Sequence, residues 1–98
     1  MKPCINPKQA ERRALVFKAL GHPVRPQIVS GLLDRECNVK RMTACLGIAQ
    51  AAVSQQLAVL RSAGVVVCER RGNEVCYRVA EPWLRQLVRL VAGVKEED

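Results

Sequence analysis

The sequence predicts one mainly α-helical domain carrying a single small β-hairpin. Three observations lead there. Apolar residues recur at helical spacing through four successive stretches in the first two-thirds of the chain. A β-branched run and an alternating run then flank Arg71-Gly72-Asn73, a turn signal. The chain has 98 residues, a length that supports one core and no more.

Each element has its own signal. Residues 1–7 hold two prolines and no periodicity, and read as a flexible N-terminal arm. Asn6-Pro7 is a helix start, with Asn as N-cap and Pro at the first helical position. From Lys8, the apolar set Ala14, Leu15, Phe17, Ala19 and Leu20 predicts a first helix, broken by Gly21-His22-Pro23. A second helix is expected from about Val24 to Leu33, with Ile28, Val29, Leu32 and Leu33 on its apolar side. Pro26 is compatible because it falls in the first turn. Val39, Met42, Cys45 and Leu46 predict a third helix over Val39–Leu46, stopped by Gly47. Val53, Leu57 and Leu60 predict a fourth over Gln50–Ala63, stopped by Gly64. Val65–Cys68 and Val75–Val79 read as two strands. A last helix is expected from Pro82 to about Ala92 on Trp83, Leu84, Leu87, Val88 and Val91. The domain thus spans residues 8–92 in the order α-α-α-α-β-β-α, followed by an acidic tail at 93–98.

Charge narrows the function. Sixteen Lys and Arg face nine Asp and Glu, a net charge of +7, and three of those acids close the chain as Glu96-Glu97-Asp98. A compact domain this basic is built to meet a polyanion or an anionic surface. No apolar run reaches the roughly 20 residues of a membrane helix, and the first ten residues hold no apolar core of a secretory signal. A cytoplasmic protein without a membrane partner is expected. The five cysteines, Cys4, Cys37, Cys45, Cys68 and Cys76, are odd in number and include no Cys-x-x-Cys pair, so reduced thiols are expected. An enzyme is not: the chain has one histidine, His22, no Gly-rich phosphate loop and no Ser/His/Asp set. His22 itself is expected to hydrogen-bond in the loop between the first two helices.

Two short helices joined across Gly47 and followed by a hairpin are the parts of a winged helix-turn-helix. A major groove admits one helix, and the preceding helix braces it against the backbone. The second of these helices should be apolar inside and polar, uncharged or basic outside, and Gln50, Ser54, Gln55 and Arg61 meet that description. Gln can pair bidentately with adenine, and Arg can reach guanine or phosphate. Arg70, Arg71 and Asn73 at the hairpin tip suit a wing touching backbone or minor groove. Lys40 and Arg41 at the start of the bracing helix suit phosphates.

These residues carry a family resemblance. The segments Ala19-Leu20-Gly21-His22-Pro23-Val24-Arg25, Val53-Ser54-Gln55-Gln56-Leu57-Ala58-Val59-Leu60-Arg61-Ser62-Ala63-Gly64-Val65 and Arg70-Arg71-Gly72-Asn73-Glu74-Val75-Cys76-Tyr77-Arg78-Val79 resemble the ArsR/SmtB family over roughly residues 10 to 92. Gln56 stands where many relatives have His, and Pro26 replaces a commoner Leu or Arg. The resemblance implies a homodimeric bacterial repressor that leaves its operator when an inducer binds or modifies it. It places Gln50, Ala51, Ser54 and Gln55 against bases and gives dimerisation to the first and last helices. Leu15, Trp83, Leu84, Leu87, Val88 and Val91 are the expected dimer contacts, since the last helix is more apolar than one small core needs. A two-fold dimer implies a palindromic double-stranded operator.

The family's sensing sites are only partly present. The stretch matching the Cys-Val-Cys of thiophilic-metal sensors reads Glu36-Cys37-Asn38-Val39-Lys40-Arg41-Met42, so that pair is missing, and the last helix lacks the His and acid ligands of zinc, nickel or cobalt sensors. Cys37 matches the E-C-x-V segment of reactive-sulfur sensors, whose second cysteine on the last helix is absent here. Cys4 is the expected substitute. Together Cys37 and Cys4 could react with sulfur species or hold a soft metal or arsenite, which favour thiolates. Arg35, Lys40 and Arg41 favour the thiolate of Cys37. Cys45 is expected in the core beside Met42 and Leu46. A three-residue loop at Arg71–Asn73 would pair Cys68 with Cys76 across the hairpin, as a redox switch or as apolar filler. The expected function is an operator-bound repressor released through cysteine. A DNA-binding architectural or toxin-antitoxin-like module without an inducer is the alternative, and a basic protein-interaction adaptor a further one.

Overall fold

The computed structural model describes residues 5–33, 37–91 and 93, with the backbone alone for Cys37. Residues 1–4 of the expected arm, Arg35 and residues 94–98 of the expected tail lie outside the described residues, and Pro7, placed in the arm by the sequence, begins the first helix instead. The element order is α1 (Pro7–Leu20), α2 (Arg25–Gly31), β1 (Cys37–Asn38), α3 (Val39–Leu46), α4 (Gln50–Ser62), β2 (Val66–Arg71), β3 (Glu74–Val79) and α5 (Pro82–Val91). The architecture is the mainly α winged helix-turn-helix that the sequence predicts.

Local chemistry accounts for the boundaries. The N–H of Gln9 donates to Asn6 Oδ1 at 2.8 Å while the Gln9 side chain accepts from the Asn6 N–H, a capping box with Pro7 inside the first turn. His22 Nδ1 accepts from the Val24 N–H at 3.0 Å and so shapes the turn into α2. Asn38 caps α3, its Oδ1 accepting from the Arg41 N–H at 2.8 Å. Gly47 ends α3 in the left-handed region at φ 68°, donating its N–H to the Thr43 carbonyl at 2.9 Å.

The core is aliphatic. Ile28, Val29 and Leu32 of the α2 segment, Val53, Leu57 and Leu60 of α4, Val65 and Val66 around the start of β2, and Leu84 and Val88 of α5 are all essentially sealed from solvent. Among the described residues no polar or charged residue is buried. Apolar burial at about 25 cal/mol per Å² is therefore the dominant stabilising term, undiluted by desolvated charge. The stripe Val53, Leu57, Leu60 turns one side of α4 inward and leaves its opposite side to solvent.

The sheet departs from expectation in two ways. The backbone of Cys37–Asn38 forms a third strand, giving the order β1-β3-β2, with Cys37 opposite Tyr77 and Asn38 opposite Cys76. No alternation can announce a strand of two residues. The hairpin register also differs by one residue: Arg71 pairs with Glu74, Glu69 with Cys76 and Cys68 with Tyr77. The loop is the two residues Gly72-Asn73, with Gly72 at φ 64° and no positive φ at Asn73, which is the pattern of a II′-type turn. Packing selects this register. It sets buried Val66 against buried Val79, whereas the three-residue loop would have put Arg78 there. Cys68 and Cys76 consequently point to opposite faces of the wing and are not cross-strand partners.

Candidate nucleic-acid interface

The third and fourth helices form a corner. Between α3 and α4 the chain bends by 116° over Gly47-Ile48-Ala49. That angle and turn length are those of a helix-turn-helix. On α4 the residues Ala51, Ser54, Gln55 and Ala58 lie opposite the core stripe and are exposed, as are Gln50 near the start and Arg61 in the last turn. This outward face is small or polar and uncharged along its middle. It can approach base edges without bringing a carboxylate against phosphate. Lys40 and Arg41 are exposed in the first turn of α3.

The wing carries three further basic residues, Arg70, Arg71 and Arg78. Arg70 and Arg71 are exposed, and both belong to β2 itself, so the tip between the strands consists of Gly72 and Asn73. Arg71 is ion-paired with Glu69 at 3.3 Å, with both side chains about half exposed. Such a surface pair contributes roughly 0–1 kcal/mol, little enough to be exchanged for a phosphate. Arg78 is also exposed on β3, a position that hairpin reading from the sequence passes over.

The described cysteines do not converge. Cys45 is exposed, a correction to the core position expected from its spacing: α3 turns Met42 inward and leaves Cys45 on the outer side. Cys68 and Cys76 are half-buried. The Cys37 side chain and all of Cys4 lie outside the described residues. Among those described, no group of three or more His, Cys, Asp or Glu could hold a metal ion.

The expected dimer residues divide into three sets, buried, exposed and half-buried. Leu84 and Val88, at 1% and 2% exposure, fill the core of the single chain, which corrects their assignment to a surface. Leu15 at 56% and Val91 at 66% are exposed, and Phe17 at 54% and Leu90 at 78% join them. Leu87, half-buried, lines a groove of about 410 Å³ between α1, α2 and α5 together with Phe17, Leu20 and Val91. Trp83 is held from several sides. Its ring meets Phe17 edge to face at 6.5 Å, the Arg13 guanidinium lies 4.5 Å from its centroid, and its Nε1–H donates to Glu81 at 3.1 Å. The Arg85 guanidinium donates to the Leu33 carbonyl, tying α5 to the end of the α2 segment. Among the described residues, no single helix is long and apolar enough to cross a membrane.

Residues 22–67 match the family described as "Bacterial regulatory protein, arsR family". A biofilm growth-associated repressor of Xylella fastidiosa is 40% identical over 81 residues, covering 83% of this chain and 71% of that protein. The solved structure of the transcriptional repressor BigR from Xylella fastidiosa aligns with a TM-score of 0.77 at 35% identity, covering 93% of each chain. The homodimeric winged helix-turn-helix DNA-binding domain Mb0332 from Mycobacterium bovis aligns with a TM-score of 0.78 at 31% identity, covering 96% of this chain and 89% of that one.

Proposed function

The chain belongs to the bacterial ArsR family of transcriptional regulators, which act by binding DNA and not by catalysis, and from that premise we propose that it is a homodimeric repressor of a palindromic operator. The observation that carries this reading is the 116° helix corner, with a small, polar face of α4 turned outward and a basic wing beside it. In this reading Gln50, Ala51, Ser54 and Gln55 enter the major groove, and Gln55 reads adenine through its amide. Lys40, Arg41, Arg61, Arg70, Arg71 and Asn73 hold phosphates or sugar and fix the register. A second copy covers the exposed apolar residues Leu15, Phe17, Leu90 and Val91 and the half-buried Leu87 of α1 and α5. Two recognition helices then fall about 34 Å apart, one turn of the duplex.

Release depends on Cys37 in this reading. Its backbone is a strand of the wing sheet and is followed at once by the cap of α3, so an added sulfur or a bound soft ion there acts on both DNA-facing units. The inducer class is a thiol-reactive or thiophilic species: a reactive sulfur compound, a soft metal or arsenite. Cys4 is the proposed partner thiol. The test is binding of the full chain to duplex DNA selected from a random pool, followed by challenge with persulfide, arsenite, cadmium, lead and peroxide. Selection of a palindrome and release by one of these supports the proposal. Tight binding that no member of the panel weakens leaves the protein a DNA-binding module without thiol sensing. Failure to select any sequence overturns the repressor reading.

A further inference from the structure

The recognition helix is held by more than its apolar stripe. Arg25, the first residue of α2, donates from Nε to Gln56 Oε1 at 2.8 Å and from its terminal guanidinium nitrogen to the Ala19 carbonyl at 3.2 Å. One planar fork thus joins the last turn of α1, the start of α2 and the middle of α4. Both bonds are partly buried, where a charge-assisted hydrogen bond is shorter and stronger than a neutral one. Gln56 directly follows Gln55, the proposed base reader, on the flank of α4 between the core stripe and the outward face. The N-terminus of α4 has no side-chain cap to set its direction, because Ala49 occupies that position. Val53, Leu57 and Leu60 are all aliphatic and set the depth of α4. An aliphatic stripe constrains rotation about the helix axis less sharply than a directional bond does.

We infer that Arg25 is a positioning residue for sequence recognition: through Gln56 it fixes the rotation of α4 that aims Gln55 and Ser54, and through the Ala19 carbonyl it refers that rotation to α1. The inference rests on the DNA-binding reading above. It links the helix proposed to dimerise with the helix proposed to read bases, so a change in the dimer reaches the groove through one side chain. A bond that merely stabilises the fold acts equally on specific and non-specific binding, since non-specific affinity is set by net charge near phosphates. A bond that aims α4 acts on their ratio.

The experiment measures the affinity of the full chain for its selected operator and for a scrambled duplex of equal length at one salt concentration. Gln56→Leu removes the acceptor while leaving every charge in place. It is expected to lower the specific to non-specific ratio about fivefold or more, the range of an ordinary coupling between sites. Gln56→Glu keeps an acceptor for the guanidinium and is expected to hold the ratio within about twofold of the parent chain. Far-ultraviolet circular dichroism reports folding of each variant. Should Gln56→Leu not fold, Arg25→Lys takes its place: it retains the charge but loses the fork that serves two acceptors, and is expected to lower the ratio likewise. An unchanged ratio in a folded Gln56→Leu or Arg25→Lys variant overturns the inference, as does an equal loss in Gln56→Glu and Gln56→Leu. A parent chain that does not prefer its operator sinks the DNA-binding reading instead, so the two failures are told apart.

Discussion

The backbone of Cys37 pairs with that of Tyr77 in the wing, one residue before Asn38 caps the bracing helix. The two units proposed to touch DNA therefore meet at this thiol-bearing position. Cys37→Ser is expected to fold, bind the operator as the parent does and ignore the inducer that releases the parent. Coupling of about 1–3 kcal/mol suffices, since that changes operator affinity about 5- to 150-fold. If Cys37→Ser is released by every inducer to the same extent as the parent chain, sensing lies elsewhere.

Gln55 and the wing arginines should separate by the kind of binding they support. Gln55→Ala is expected to cost about 1–3 kcal/mol on the operator and relax choice at one base pair. Arg70→Ala should weaken every sequence alike and lower the slope of log affinity against log salt by about one. Anisotropy titrations at several salt concentrations distinguish them. A Gln55→Ala chain that keeps its full preference for the operator would show that a different face of α4 reads the bases.

Leu90 is the sharper probe of the dimer. It is 78% exposed in the single chain, so Leu90→Asp leaves the folded protomer undisturbed while burying an unpaired carboxylate at the proposed two-fold interface. Sedimentation should show the parent as a dimer at micromolar concentration and Leu90→Asp as a folded monomer with much weakened operator binding. A parent chain that sediments as a monomer removes the proposed interface.

Two glycines should respond to alanine with opposite signs. At Gly47 an added Cβ meets nothing within 4 Å, so only its φ of +68° is strained, and Gly47→Ala should cost about 1–2 kcal/mol. Gly31 is also open and closes α2 without a positive φ, so Gly31→Ala should gain about 0.4–1 kcal/mol. Melting temperatures should shift by about 4–8 °C per kcal/mol for a domain this small. Equal shifts of the same sign would contradict the left-handed assignment at Gly47.

Helices were legible wherever local chemistry decides them. Asn6-Pro7, Gly47, and the spacing of Val53, Leu57 and Leu60 each act within a few residues, through a cap, a left-handed stop and one apolar stripe. The order of those elements, with the basic excess, was enough for the fold class, and the motif segments were enough for the family. Local pattern did less well where two neighbours satisfy it equally. Cys45 and Met42 both fit an apolar face of α3, and Cys45 proves to be outside.

What only the tertiary structure decided is everything that depends on residues far apart in the chain. The hairpin turn allowed two registers, and burial of Val66 against Val79 chose the one that parts Cys68 from Cys76. Cys37–Asn38 became a strand because β3 offered an open edge beside it. Leu84 and Val88 went to the core and Leu90 and Val91 to the surface, although all four are apolar on one helix. The Arg25–Gln56 bond spans 31 positions and has no local signature at all. Caps and periodicity act over one or two helical turns, and are written in the order of residues. Register, burial and long-range hydrogen bonds are settled by competition among surfaces that meet only once the chain is folded.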